Sequence, residues 1–203
     1  MIAQLLYQFH HLDQLVLTAG YAGLAAIVFS ETGLLAGFFL PGDSLLVTAG
    51  LLASRGILNI FILNLVLVAA AILGDSTGYW IGYVSGPKLF KKENSLFFKK
   101  EYLERTHRFF EKYGGKTIVL ARFVPIVRTF APTVAGAGRM AYRHFLFFNI
   151  FGGLLWVLGM TLTGYYLGRL VPDIDKHLHW VIFAVIVISF LPLAREACRA
   201  RKK

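Results

Sequence analysis

Four ionisable residues lie inside apolar sequence, and together they have the chemistry to bind an anion and carry a proton. Glu31 and Asp43 stand twelve positions apart in ETGLLAGFFLPGDSLLVTAGLLAS, and Arg122 and Arg128 stand six apart in KTIVLARFVPIVRTFAPTVAGAG. Arginine presents a planar fork of donors that matches phosphate. A carboxyl group where water is scarce can take up and release a proton. A site holding both could exchange an anionic headgroup for protons. A charge at the centre of a membrane helix costs about 2.5–3.5 kcal/mol even on the low insertion scale. Four such charges facing lipid would be prohibitive, so the two acids and two arginines are expected to offset one another. A purely stabilising ion-pair cluster is the plainer reading of the same residues, although desolvation makes buried pairs weak contributors to stability.

The elements that carry these charges are broken helices. Pro41-Gly42 interrupts the first stretch, residues 31–54, and Pro125 with Pro132 interrupts the second, residues 116–138. Proline removes an amide donor and clashes with the preceding turn. Each half is then about ten residues long, too short to cross a hydrocarbon core of about 30 Å. The expected solution is a pair of re-entrant helical hairpins, whose irregular backbone must be buried in protein or face water. Helix ends at the breaks would add amide donors for an anion.

Around the hairpins run uncharged apolar stretches at Gln14–Ser30, Gly56–Gly74, Phe145–Gly168 and Leu178–Ala194, read as four spans. Hydrophobic residues make up 57% of the 203 and charged residues only 16%, against about a quarter charged in soluble domains. The mean hydropathy of +0.63 agrees. The fold expected is an all-α multi-pass membrane protein forming a single membrane domain. No cleavable signal pattern is read at the start. The net charge of +10 places basic residues between apolar runs and in the tail, the positive-inside pattern rather than a nucleic-acid footprint. Residues 88–112 carry eight Lys/Arg against four Glu. That region, the basic tail, and Arg139 with Arg143 are expected in the cytoplasm, as are both termini. Arg55 and residues 169–177 are expected outside. Phe98, Tyr102, Phe109, Phe110 and Tyr113 recur at helical spacing, so residues 88–114 are expected to lie in the headgroup layer as an amphipathic helix.

The chain also repeats itself. FLPGDSLLVTAG is followed by GYWIGY, and FVPIVRTFAPTVAG by GYYLGR. Gly50 to Gly78 spans 28 positions, as does Gly136 to Gly164, both at an offset of 86. The first repeat half is placed at 31–86, the second at 116–170, and a final span at 178–194. The loop charges put the two hairpins on opposite sides of the membrane. The repeats would therefore be inverted, as in many secondary transporters.

Other residues carry less. Asp75, in GDSTGYWIGY, is placed toward the cytoplasmic end of its span and read as structural, with a role in the site possible. His10, His11, His107, His144, His177 and His179 form no ligand spacing, and Cys198 stands alone, so no metal or cofactor is expected. No nucleophile with acid–base partners is evident, so an enzyme such as a lipid phosphatase is disfavoured.

ETGLLAGFFLPGDSLLVTAGLLA, GDSTGYWIGYVSG, RFVPIVRTFAPTVAGAGRM and FNIFGGLLW carry a resemblance. The chain resembles the DedA family, whose domain also occurs in eukaryotic lipid scramblases, over most of residues 31–160. The resemblance implies two opposing hairpins, a bacterial inner-membrane location and lipid translocation. In that family the acids of the first hairpin and both arginines of the second are required. They correspond to Glu31, Asp43, Arg122 and Arg128. Family members are implicated in recycling undecaprenyl phosphate, and others act on phosphatidylethanolamine or affect drug tolerance that depends on the proton-motive force. The function expected is a proton-coupled flippase whose partners are an anionic lipid, protons and the bilayer. A phospholipid flippase or scramblase, a scaffold, and a proton or ion antiporter are the alternatives. Oligomeric state is left open.

Overall fold

The computed structural model describes residues 20–34, 42–89 and 114–170, and every regular element among them is helical. In chain order these are α1 (residues 20–33), α2 (Gly42–Ser54), α3 (Ile60–Leu89), α4 (Lys116–Ala121), α5 (Pro125–Ala137) and α6 (Tyr142–Leu170). Pro41, the amphipathic segment beyond Leu89, the final span and the basic tail lie outside the described residues.

Among the described residues two helices, Ile60–Gly86 within α3 and Tyr142–Leu170, are long and apolar enough to cross a membrane. Asn59 caps α3: its Oδ1 accepts from the backbone amides of Phe61 at 2.9 Å and Ile62 at 3.2 Å, satisfying two donors that a helix start leaves open. The apolar run predicts a span ending at Gly74, but α3 continues to Leu89. Asp75 therefore lies at the middle of the helix and not toward one end. Several large apolar residues face outward. Phe61 is 83% exposed and Leu65 74%, whereas Asp75 and Arg122 are each 1% exposed. Large apolar side chains outside with charges inside suit lipid as the surrounding solvent.

The short helices show how proline acts here. Val124, before Pro125, is extended at φ −118°, ψ 107°, as the steric clash with a following proline ring demands. That residue separates α4 from α5, and Pro125 opens α5 at a position where its missing amide costs nothing. Pro132, expected to break the segment as well, lies inside α5 without ending it, forgoing one helical bond. Gly42 opens α2, with Asp43 in the first turn, where a negative charge opposes the helix dipole. Glu31 does not start a separate arm, as the hairpin reading expects: α1 carries straight on from the first apolar run through Glu31 to residue 33.

The chain divides into two compact units. The first comprises residues 1–27, 40–68 and 155–203, and the second residues 28–39 and 69–154. In the first unit α2 crosses α6 at glycines: a Cβ on Gly50 would overlap the carbonyl of Thr161, and one on Gly164 the carbonyl of Val47. Leu45, Leu46, Val47, Leu51, Leu63 and Leu67 are buried there. In the second unit α5 crosses α3 in the same manner, Gly136 against the Tyr79 carbonyl and Gly82 against the Thr133 carbonyl. Its core is Tyr79, Ile118, Ala135, Met140 and Phe145, flanked by Tyr142 and Phe148. Each crossing thus joins the short helix of one sequence repeat to the long helix of the other.

Candidate functional site

Three of the four expected site residues, Glu31, Arg122 and Arg128, come together in the second unit, with Asp75 as a fourth member. The Pro125 break decides where the arginines stand. Arg122 caps α4, and Arg128 lies one turn into α5. Among the described residues α4 and α5 are short, six and thirteen residues. The break frees the carbonyl of Arg122, and Arg128 Nη1 donates to it at 3.5 Å. Arg128 Nη2 donates to Glu31 Oε1 at 2.6 Å, both side chains being almost fully buried. One guanidinium thereby closes a helix end and neutralises an acid contributed by α1. The expected pairing of first-stretch acids with second-stretch arginines is present in Glu31–Arg128.

Arg122 makes the second ion pair. Its Nη2 donates to Asp75 Oδ2 and also to Asn149 Oδ1. The Asn149 amide is held in turn by its Nδ2, which donates to the Ile72 carbonyl on α3 at 3.1 Å. That bond fixes which end of the amide faces the guanidinium. Gly152 and Gly153 make room for the arginine. A Cβ on Gly152 would stand 3.1 Å from Arg122 Cδ, and one on Gly153 3.6 Å from its Nη1. The sequence FNIFGG is thus a socket: an amide and, one turn later, two bare backbones. Asp75 does not stand near a helix end, where its sequence position would put it. It is a buried, central member of the cluster.

Asp43 lies in the first unit. Trp156 Nε1 donates to its Oδ1 at 2.8 Å, and Trp156 is itself 1% exposed. In the same unit Thr161 Oγ1 donates to Asn64 Oδ1 at 2.6 Å. Sequence reasoning singles out neither Asn149 nor Trp156. The signal that could have found them is polar residues inside long apolar helices: Asn149 is the only amide side chain in the run from Phe145 to Gly168. Of the breaks named from sequence, Gly42 and Pro125 stand at helix starts, Pro132 within α5, and Pro41 outside the described residues.

The arrangement can do two things chemically. Two guanidiniums at one helix break can present donors to an oxyanion. Two buried carboxylates paired to them can be neutralised by protons whenever the guanidiniums turn elsewhere, since an uncompensated charge in such a place is costly.

Residues 40–166 match the family model described as the VTT domain. Protein DedA of Escherichia coli K12 is 50% identical over 197 residues, covering 95% of this chain and 90% of that protein. A Mycobacterium tuberculosis H37Rv protein named as an uncharacterized membrane protein is 50% identical over 87% of this chain and 78% of its own length. The inner membrane protein YqjA of Escherichia coli K12 is 40% identical over 73% of this chain and 68% of its own. No solved structure matches the chain. With a domain match across most of its length and half its residues shared with DedA, this chain is a membrane protein of the DedA family.

Proposed function

We propose that this protein is a proton-coupled flippase that recycles undecaprenyl phosphate across the bacterial cytoplasmic membrane. The observation that carries the reading is the pair of buried acid–arginine bonds at one helix break, Glu31–Arg128 beside Asp75–Arg122. Arg122 and Arg128 bind the phosphate headgroup. Glu31 and Asp43 carry protons. When phosphate occupies the arginines, a carboxylate loses its partner and takes up a proton, which links the two fluxes. The short helices α2, α4 and α5 form the arms of two re-entrant hairpins opening to opposite sides. Four spans, an amphipathic segment over residues 88–114 and cytoplasmic termini complete the topology.

The test is purified protein in liposomes with a labelled isoprenoid monophosphate and an imposed proton gradient. The gradient is expected to drive lipid movement, and Glu31→Gln or Asp43→Asn to uncouple it even where downhill exchange survives. Arg122→Lys and Arg128→Lys are expected to fall short of wild type, because lysine keeps the charge and loses the fork. Movement of phosphatidylethanolamine in place of the monophosphate would make the protein a phospholipid flippase. Proton flux without lipid crossing would make it an antiporter. A gradient that never alters lipid movement would end the coupled reading.

A further inference from the structure

Neither the arginine pair nor the acids Glu31 and Asp43 explain why α3 buries a carboxylate at its midpoint. We propose that Asp75 is the resting counter-anion of Arg122, displaced by substrate phosphate and protonated on displacement, and that Asn149 with Gly152 and Gly153 is the socket that positions Arg122 for this exchange.

The geometry holds Asp75 by one oxygen. Its Oδ2 meets Arg122, while its Oδ1 is buried without a hydrogen-bond partner. A half-satisfied buried charge is costly, so loss of its one bond to Arg122 favours the neutral carboxyl. A carboxylate that must release its arginine cannot be held on every side. Arg122 is held through Nη2, which serves both Asp75 and Asn149. Asn149 Oδ1 accepts from the same Nη2 that serves Asp75, and the amide cannot rotate freely because Ile72 accepts from its Nδ2. Asn149 is neutral, so it steadies the guanidinium without competing for its charge. The glycine pair lets the α6 backbone approach the side chain, where any Cβ at Gly152 would press on it. Phosphate arriving at Arg122 therefore meets Asp75 as a charged rival on that arginine.

The charged groups around Asp75 in the second unit are Arg122 and, beyond it, Arg128 with its partner Glu31. On α3 and α6 the neighbouring titratable groups are phenols. Tyr142 Oη donates to Ser76 Oγ at 3.4 Å, and Tyr79 Oη donates to the Met140 carbonyl. With Arg122 turned to phosphate, Asp75 is left where water is scarce, and a proton from solution neutralises it. The proton resides on an Asp75 carboxyl oxygen until phosphate leaves and Arg122 returns.

This inference rests on the phosphate-lipid reading, and one experiment distinguishes their failures. Calorimetry of the full-length protein in detergent measures binding of farnesyl phosphate, a short isoprenoid monophosphate, in two buffers of different ionisation heat. That pairing gives both affinity and protons taken up per ligand. Wild type is expected to bind with net proton uptake. Asp75→Asn removes the rival charge while keeping the shape, so it is expected to bind at least about fivefold tighter and to take up roughly one proton fewer. The ligand's own ionisation cancels between the two proteins. Asn149→Asp adds a rival and is expected to weaken binding at least about fivefold. Opposite shifts in the two variants support competition for Arg122. Weakening in both, or equal proton uptake in wild type and Asp75→Asn, overturns the role of Asp75. Absence of binding by wild type overturns the phosphate reading and this inference with it. If Asp75→Asn fails to purify as folded protein, Asn149→Asp decides alone: unchanged affinity in that variant overturns the proposal.

Discussion

In the first unit the 13-residue helix α2 lies on α6 at Gly50 and Gly164. In the second unit the 13-residue helix α5 lies on α3 at Gly136 and Gly82. Both short helices end in the same hydrogen-bonded closure. Ile57 N–H bonds to the Leu52 carbonyl and Gly56 N–H to that of Ala53, and Met140 N–H bonds to Ala135 and Arg139 N–H to Gly136. The scaffold is therefore shared, and the difference lies in what each unit buries. The first has Asp43 under an indole, and a threonine bonded to an asparagine. The second has two carboxylate–guanidinium pairs. A common crossing thus goes with two kinds of interior: the first holds its acid under an indole, and the second holds its acids on guanidiniums.

The largest effect should come from unbalancing those charges. Glu31→Leu or Arg128→Met leaves the opposite charge buried without its partner, and each is expected to cost about 3–5 kcal/mol. The double variant replaces the pair by apolar side chains of similar volume and is expected to recover most of that loss. Asp43→Asn in the first unit keeps an acceptor for Trp156 and gives up a favourable charge at a helix start, an expected cost of about 1 kcal/mol. Thermal unfolding of purified protein in detergent ranks the four variants. Recovery in the double variant without recovery of lipid movement would place the pair in function and not in folding. A cost for Asp43→Asn equal to that of Glu31→Leu would erase the distinction between the units.

How much of this is legible in the sequence depends on which physical rule is in play. The break at Pro125 is legible because proline constrains its predecessor whatever surrounds it, and the Glu31–Arg128 pairing because lone charges in lipid are too costly. Asp75 is misplaced by a rule that ends a span at its first charge. The helix in fact runs on, and Gly78, Gly82 and Gly86 let its second half pack against Pro132, Thr133 and Ala137. Pro132 is overrated as a break because one lost bond does not end a helix held by its neighbours. Asn149 stands out only as a lone amide in an apolar run, and its role does not follow from that. A neutral amide costs less to bury than a charge, and its meeting with Arg122 depends on how α4 lies on α6, which no local pattern specifies.

The shared crossing gives a middle-sized test. Gly50→Ala and Gly136→Ala each drive a methyl into a facing backbone carbonyl, and each is expected to cost about 1–3 kcal/mol as overpacking against atoms that cannot turn aside. On α6, a methyl added at Gly159 would meet no atom within 4 Å, so Gly159→Ala is expected to be neutral or to stabilise by up to about 1 kcal/mol through helix propensity. Unfolding midpoints of the three alanine variants check this. Comparable losses at Gly50 and Gly136 mean that the two crossings bear equal weight. A loss at only one would show that the repeat in sequence is not a repeat in energetics.

The smallest expected effect concerns the two helix closures. The left-handed position that ends α2 is Gly56, at φ 76°, and the one that ends α5 is Arg139, at φ 54°. Glycine adopts this conformation without penalty, whereas a residue with a Cβ gives up roughly 1–2 kcal/mol. Arg139 offsets part of that cost, since its guanidinium lies 5.5 Å from the centroid of the Tyr83 ring, worth about 0.5–1 kcal/mol at an exposed site. Arg139→Gly is therefore expected to stabilise by a net of about 0.5–1 kcal/mol, a rise of roughly 1–4 °C in unfolding midpoint for a chain of this size. Gly56→Arg is expected to destabilise by the backbone term. Arg139→Gly in a Tyr83→Leu background separates the two contributions: the stabilisation should grow toward the whole backbone cost. If Arg139→Gly lowers the midpoint instead, the hold on Tyr83 outweighs the strain. The two closures would then be alike in hydrogen bonding only, with α5 relying on a side chain where α2 relies on its glycine.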